Sequence, residues 1–305
     1  MQILGDLMVA TDVRTAIFPV AGLGTRMLPA TKSLPKELLP IIDRPLIQFA
    51  IDEARAAGVE RMVFVSHPSK AAIEHYVSLD TDLIETLRAR GKTRLARMLE
   101  QDALDPDETE VVFTMQEEPL GLGHAVACAR RHALPGPVAV LLPDDLILGA
   151  EGCLSEMVAA YRRAGGGHMV ATMPVPRRDV SKYGVLSVSA RDGRLLRADG
   201  MVEKPAPEAA PSTEAVVGRY ILDASIFDDL ARQTPGAGGE IQLTDAIAAG
   251  IGRVGLHGLR LSGERFDCGS KAGLLRATLA LAENDPEYRS VLDEFRGPPM
   301  LTAAE

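Results

Sequence analysis

A strand-like apolar run that ends in glycines, with arginine and lysine a few residues later, is suited to holding phosphate. Residues 15–20 form such a run and lead into Ala21-Gly22-Leu23-Gly24-Thr25-Arg26-Met27-Leu28-Pro29, with Lys32 and Pro35-Lys36-Glu37 close behind. Glycines at a strand exit let backbone N–H groups approach a polyphosphate with no side chain in the way. Arg26 offers a planar fork of donors and Lys36 a compact charge. Two other phosphate motifs are excluded: a P-loop ends in Gly-Lys-Ser/Thr, and a dinucleotide loop needs a third small residue where Met27 stands.

Other segments add recognition chemistry. Gln116 closes an apolar run, and Gly121-Leu122-Gly123-His124-Ala125 opens a helical one. A side-chain amide beside closely approaching backbone can pair with the carbonyl and N–H edges of a pyrimidine. A buried pairing site rejects bases that leave its groups unpaired but penalises an extra methyl only slightly. Uracil is therefore expected over cytosine and purines, with modest discrimination against thymine. His124 is expected to pack or cap its helix, not to act as a base. Leu141-Leu142-Pro143-Asp144-Asp145 and Phe266-Asp267-Cys268-Gly269 place carboxylates at strand ends. Strand alternation predicts that only one of Asp144 and Asp145 faces a site. One or two carboxylates with phosphate oxygens and water suffice for Mg²⁺, although an Asp at a turn also serves as a cap. In Val202-Glu203-Lys204-Pro205 the carboxylate can accept two sugar hydroxyls and the ammonium can hold a sugar phosphate, but such a pair is ordinarily solvated surface charge.

These residues need strands and helices to aim them. Runs at 61–66, 110–116 and 138–142 read as strands, and stretches at 45–57, 69–79, 82–100 and 121–133 as helices. That β-α alternation predicts an α/β fold: a Rossmann-like, mainly parallel sheet flanked by helices, with ligands beyond the carboxyl ends of the strands. After about residue 165 the strands 169–174, 184–189, 195–202 and 216–222 follow one another more closely, with helices at 224–231, 242–251 and 271–283. This half reads as an extension of the sheet carrying an extra mixed-sheet, sugar-binding subregion. The expected organisation is a flexible tail at 1–12, one domain at 13–283 and a C-terminal helix and tail at 284–305. Within the domain, 13–165 is mainly nucleotide-binding and 166–270 mainly sugar-binding.

Composition sets the limits. The 305 residues are 46% hydrophobic with no Trp, so the core must be aliphatic. A net charge of -9 argues against a general nucleic-acid binder, yet allows a local basic pocket for a small phosphorylated ligand. Three scattered cysteines without a C-x-x-C pair fit reduced thiols in the cytoplasm and give no zinc site. No signal peptide is read at the N-terminus, and no stretch approaches the roughly 20 apolar residues of a membrane span.

The run AGLGTRMLPATKSLPKELLP resembles the signature of bacterial sugar nucleotidyltransferases, and its GTRMLPATK portion is similar to the branch that joins UTP to glucose 1-phosphate. Separated motifs carry the resemblance from residue 14 to residue 282. It implies a nucleotide-diphospho-sugar transferase fold, UTP and glucose 1-phosphate as substrates, UDP-glucose and pyrophosphate as products, Mg²⁺ as cofactor, and homodimers or homotetramers. By the same resemblance Ala21, Gly22, Leu23, Gly24, Thr25, Arg26, Lys36 and Asp144 bind the nucleotide, with Gln116 and Gly121 on uracil. Gly184 (in Tyr183-Gly184-Val185), Glu203, Lys204, Val217 and Gly218 bind the sugar phosphate, and Val217-Gly218-Arg219-Tyr220 forms one side of its pocket. Asp144 and Asp267 hold the metal, Arg26, Lys36 and Lys204 serve catalysis through charge, and Asp145 supports. Gly239-Glu240-Ile241-Gln242-Leu243-Thr244-Asp245 matches the family as a helix start and site support. One departure is the acidic Gln116-Glu117-Glu118-Pro119-Leu120, where relatives often carry a basic residue. The alternatives are a relative using dTTP or another hexose phosphate, and a catalytically silent nucleotide-sugar sensor. Sensors tend to lose basic or metal residues, whereas Arg26, Lys36, Asp144, Lys204 and Asp267 are all present.

Overall fold

The first strand, β1 (Thr15–Pro19), is buried over its first four residues, which requires partners on both edges and helices over both faces. A computed structural model describes residues 11–104, 108–234 and 239–296; most of the expected N-terminal tail and the end of the C-terminal one lie outside the described residues. After β1 come a short hairpin, β2 (Pro40–Ile41) and β3 (Arg44–Pro45), then α1 (Leu46–Ala56), β4 (Arg61–Ser66), α2 (Ala71–Val77), α3 (Thr81–Ala89) and α4 (Thr93–Asp102). They are followed by β5 (Glu110–Met115), α5 (Leu122–Cys128), β6 (Val138–Leu141), β7 (Asp145–Leu148) and α6 (Cys153–Ala164). The second half consists of β8 (His168–Pro174), β9 (Gly184–Asp192), β10 (Leu195–Glu203), β11 (Glu214–Leu222), α7 (Ile226–Arg232), α8 (Leu243–Val254), β12 (Leu256–Arg260), β13 (Glu264–Asp267), α9 (Lys271–Asn284) and α10 (Pro286–Arg296).

Nine of these strands make one sheet in the order β5-β4-β1-β6-β11-β8-β12-β10-β9. The first four run parallel, as the alternating pattern predicts. The direction reverses at β11, which lies antiparallel to β6, and the remainder is mixed. Phe18, Phe64 and Phe113 stack across β1, β4 and β5 with centroids 4.8 and 5.1 Å apart, fixing their register from one face. Helix α1 buries Ile47, Ala50, Ile51 and Ala54 against the sheet, the spacing of one helical stripe, while Leu46 packs with Ile41, Leu146 and Phe266 to one side. No helix among the described residues is long and apolar enough to cross a membrane.

Three expectations need correction. The run 82–100 is two helices, α3 and α4, split around Gly91. The helix expected over 121–133 ends at Cys128, with a separate 3₁₀ turn at Arg130–His132. The strands β2, β3, β7 and β12 are not among those expected. Pro143 donates no hydrogen bond and closes β6, and the chain turns at once into β7, which pairs antiparallel with β13 and not with the main sheet. That small side ladder proves important for the site.

His168 opens β8 fully buried; its Nδ1 accepts from the Asp223 N–H at 3.2 Å, and its Nε2 has no partner among the described residues. Burial disfavours the charged ring and depresses its pKa to about 4. Because the unfolded chain binds the proton near pH 6.5, the contribution is complete above that pH and is lost as pH falls toward 4. The loss is expected to total about 3 kcal/mol, at 1.36 kcal/mol per unit. Urea unfolding of His168→Gln and of the parent between pH 7 and 4 should give a flatter pH dependence for the variant.

Candidate active site

The glycine-rich loop leaves β1 and returns through three short 3₁₀ turns that carry Arg26, Lys32 and Lys36. Two anchors hold it. Thr31 Oγ1 donates to the Gly24 carbonyl at 2.8 Å. Buried Lys70 donates to the Val20 carbonyl at 2.6 Å and to Glu37 at 2.9 Å, joining the loop's two ends. Lys70 lies outside the motif, and its role depends on tertiary contact that sequence spacing does not reveal.

Two adjoining cavities open over this loop. One, of about 480 Å³, is lined by Ala21, Gly22, Arg26, Lys36, Gln116, Gly121 and Asp144, among others. The second, of about 360 Å³, is lined by Gly184, Glu203, Val217, Gly218 and Asp267, among others. Arg26, Leu122, Leu142 and Asp144 belong to both walls. Of the expected nucleotide residues, Ala21, Gly22, Lys36, Gln116 and Gly121 line the first cavity only, and of the expected sugar residues Gly184, Glu203, Val217 and Gly218 line the second only. Leu23, Gly24 and Thr25 shape the loop but line neither cavity. Lys204 also lines neither; its side chain is 59% exposed and its Nζ reaches Glu203 Oε1 at 3.4 Å.

At the shared wall, Lys36 Nζ lies 2.6 Å from Asp144 Oδ2, and Arg26 Nη1 lies 3.7 Å from Asp267 Oδ2. Burial opposes the charged form of Asp144, but Lys36 outweighs it and holds the carboxyl below its ordinary range. Burial likewise opposes the Lys36 ammonium, and Asp144 with Glu37 raises its pKa above the usual value. The Cys268 N–H donates to the Asp144 carbonyl at 2.8 Å. Asp145 and Asp267 are paired positions of the β7–β13 ladder. This ladder brings together carboxylates distant in sequence.

Asp144 and Asp267 converge beside Gly269. A Cβ there would lie 2.7 Å from Asp144 Oδ2, 3.2 Å from Asp267 Oδ1 and 2.6 Å from Arg26 Nη2. The space that glycine leaves can admit a cation. Two carboxylates are all the chain offers there, and no group of three or more His, Cys, Asp or Glu suited to a metal occurs among the described residues; a cation held at this point would need its remaining ligands from phosphate and water. Gly269→Ala is expected to lower turnover about 10²-fold by displacing these groups, with the fold retained by circular dichroism.

Asp145 departs from the alternation argument: it too lines the second cavity, because the Pro143–Asp144 turn interrupts the strand. Its carboxylate is occupied by Arg265 on one oxygen and by the Gly218 N–H, at 2.7 Å, on the other. Arg265 was not expected in the site; a charged residue two positions before Asp267 gave no distinguishing signal. Arg219 is another correction. Val217, Gly218 and Tyr220 line the pocket, but Arg219 is 1% exposed and points inward to Glu53. In the second cavity, Thr244 Oγ1 donates to Glu203 Oε2 at 2.7 Å. A Cβ on Gly184 would lie 3.3 Å from that same Oε2, so any side chain there would narrow the cavity beside Glu203.

The pattern of nucleotidyl transferases matches residues 16–284. The chain belongs to the nucleotidyl transferase family. Members generally use a divalent metal. Within this family, the chain is 46% identical over 263 residues to a UTP–glucose-1-phosphate uridylyltransferase of Komagataeibacter xylinus, covering 85% of this chain and 90% of the relative. A UTP-bound enzyme of this type from Acinetobacter baumannii superposes with a TM-score of 0.85 at 39% identity, covering 93% of this chain and 99% of that one. A UDP-glucose pyrophosphorylase complexed with UDP-glucose gives 0.81 at 35% identity, covering 90% and 100%.

Proposed function

We infer that this protein transfers the uridylyl group of UTP to glucose 1-phosphate, giving UDP-glucose and pyrophosphate. The observation that carries this reading is the shared wall: the cavity holding Gln116 and the cavity holding Glu203 meet at Arg26 and Asp144. A nucleotide in the first and a sugar phosphate in the second bring their phosphates to that wall.

The chemistry needs no enzyme nucleophile and no general base, because the sugar phosphate already carries an anionic oxygen. That oxygen attacks the α-phosphorus of UTP in line, the bond from the α-phosphorus to the bridging oxygen breaks, and pyrophosphate leaves. The obstacle is bringing two polyanions together. One favourable charge pair at 4 Å is worth about 4 kcal/mol at an effective dielectric near 20, before desolvation, so a few fixed cations supply much of what is required.

In this reading Ala21, Gly22 and the following loop present backbone to the triphosphate, and Arg26 and Lys36 turn from their carboxylate partners to phosphate oxygens. Gln116 and Gly121 hold uracil. Gly184, Glu203, Val217 and Gly218 hold the glucose, with Lys204 at the rim beside its phosphate. Asp144 and Asp267 would hold Mg²⁺, which supplies charge neutralisation and orientation to the phosphates when bound. Exposed Leu275, Leu279, Val291 and Phe295 on α9 and α10 suit an interface in a homodimer or homotetramer. The free thiols Cys128, Cys153 and Cys268 suit the cytoplasm.

Pyrophosphate release over a panel of nucleoside triphosphates and hexose 1-phosphates, with and without Mg²⁺, tests the assignment. UTP with glucose 1-phosphate and Mg²⁺ should give the highest kcat/KM. A clear preference for dTTP or another hexose phosphate would reassign the substrate, and no turnover with any pair would refute transfer.

A further inference from the structure

Gln116 is 6% exposed and lines the nucleotide cavity. Its side-chain nitrogen donates to the Gly121 carbonyl at 3.1 Å, an oxygen that can only accept, so the nitrogen must face that way. The same nitrogen lies 3.0 Å from His124 Nδ1. An amide nitrogen has two hydrogens and no lone pair to offer, so His124 Nδ1 is the bare ring nitrogen. In a neutral ring the hydrogen is then on Nε2, and Cys128 Sγ, 3.8 Å away and one helical turn further along α5, receives it. Both hydrogens of the Gln116 amide are thereby engaged, and among the described residues no donor reaches its Oε1. The amide presents an acceptor, and only an acceptor, to whatever base enters.

We propose that His124 is a positioning residue for base selection: by engaging the second amide hydrogen of Gln116, it fixes the amide so that Oε1 faces a base bearing an N–H at ring position 3. This rests on the uridylyl-transfer reading and deepens it. Uracil and thymine carry that N–H and are accepted. Cytosine has a lone pair at the same position, which would oppose the Gln116 oxygen, and a buried acceptor facing another acceptor is left unpaired. Without His124, one amide hydrogen loses its partner and the amide can rotate to offer N–H to cytosine.

The test compares kcat/KM for UTP, CTP and dTTP in the parent, His124→Ala and His124→Asn. Asparagine keeps an acceptor at the δ1 position, whereas alanine removes it. His124→Ala is expected to lower the UTP:CTP ratio by about tenfold, the effect of one lost buried pairing. Its UTP:dTTP ratio should change less than twofold, and His124→Asn should restore most of the UTP:CTP discrimination. A merely structural role would depress all three nucleotides together and leave both ratios unchanged. If the parent makes UDP-glucose and His124→Ala keeps the parent's UTP:CTP ratio, the Gly121 carbonyl alone holds the amide and this inference is overturned. A parent that makes no UDP-glucose overturns the functional reading, and this inference with it.

Discussion

Replacing Lys36 with alanine is expected to slow UDP-glucose formation by about 10²–10³-fold, the range for removing one preorganised charged or hydrogen-bonding group from a reaction centre. The Lys36 ammonium is held against Asp144 at 2.6 Å and lies at the exit of the glycine loop, so no exposed lysine can take its place. A second effect has a definite sign. Lys36 keeps the Asp144 carboxyl below its ordinary range, and the carboxylate must be ionised to hold a cation. Without Lys36 the acid limb of the kcat/KM profile, which reports the free enzyme in which Lys36 and Asp144 are paired, should move to higher pH. Steady-state pyrophosphate release from pH 5 to pH 9 measures both effects. A variant within a fewfold of the parent, with an unmoved acid limb, would remove Lys36 from the reaction centre.

The largest effect on stability is expected from Arg219→Ala. The guanidinium is buried, reaches Glu53 through Nε at 3.0 Å and Nη2 at 2.8 Å, and donates through Nη1 to the Leu142 carbonyl at 3.0 Å. Glu53 also accepts from the Leu154 N–H at 2.8 Å. Removing the arginine leaves a buried carboxylate without its counter-charge, and breaking a buried pair from one side costs about 3–5 kcal/mol. Leu142 immediately precedes the Pro143–Asp144 turn, so activity should fall as well. Urea unfolding should show the lower midpoint. The double variant Glu53→Gln, Arg219→Met should recover most of the lost stability, because no unpaired charge then remains inside.

Sequence patterns and the folded chain agree where the signal is local. The glycine loop, the strand-ending Asp144 and the Glu203-Lys204 pair are short runs whose residue types already suit their chemistry; Ala21, Gly22, Arg26, Asp144 and Glu203 line a cavity, whereas Leu23, Gly24, Thr25 and Lys204 do not. The parallel start of the sheet was legible for the same reason, since fully apolar strands alternating with amphipathic helices leave few other packings. What local patterns do not carry is made by pairs. Arg219 with Glu53, Arg265 with Asp145, and Lys70 with Glu37 each join residues from different elements, and a single charged residue in a run carries no mark of its partner. The β7–β13 ladder is hidden for a related reason: after Pro143-Asp144-Asp145 the apolar run Leu146-Ile147-Leu148 is too short to mark a strand by itself, and pairing with β13 makes it one. Glu53 reads simply as one polar position on an amphipathic helix. Its burial depends on α6 lying alongside.

The most direct test is a crystal grown with UDP-glucose and Mn²⁺ as an anomalously scattering substitute for Mg²⁺. The account predicts one metal peak coordinated by Asp144 and Asp267 next to Gly269. It also predicts uracil on Gln116, glucose on Glu203, and the diphosphate crossing between them past Arg26. A metal bound away from both carboxylates, or a diphosphate lying outside the junction of the two cavities, would contradict it.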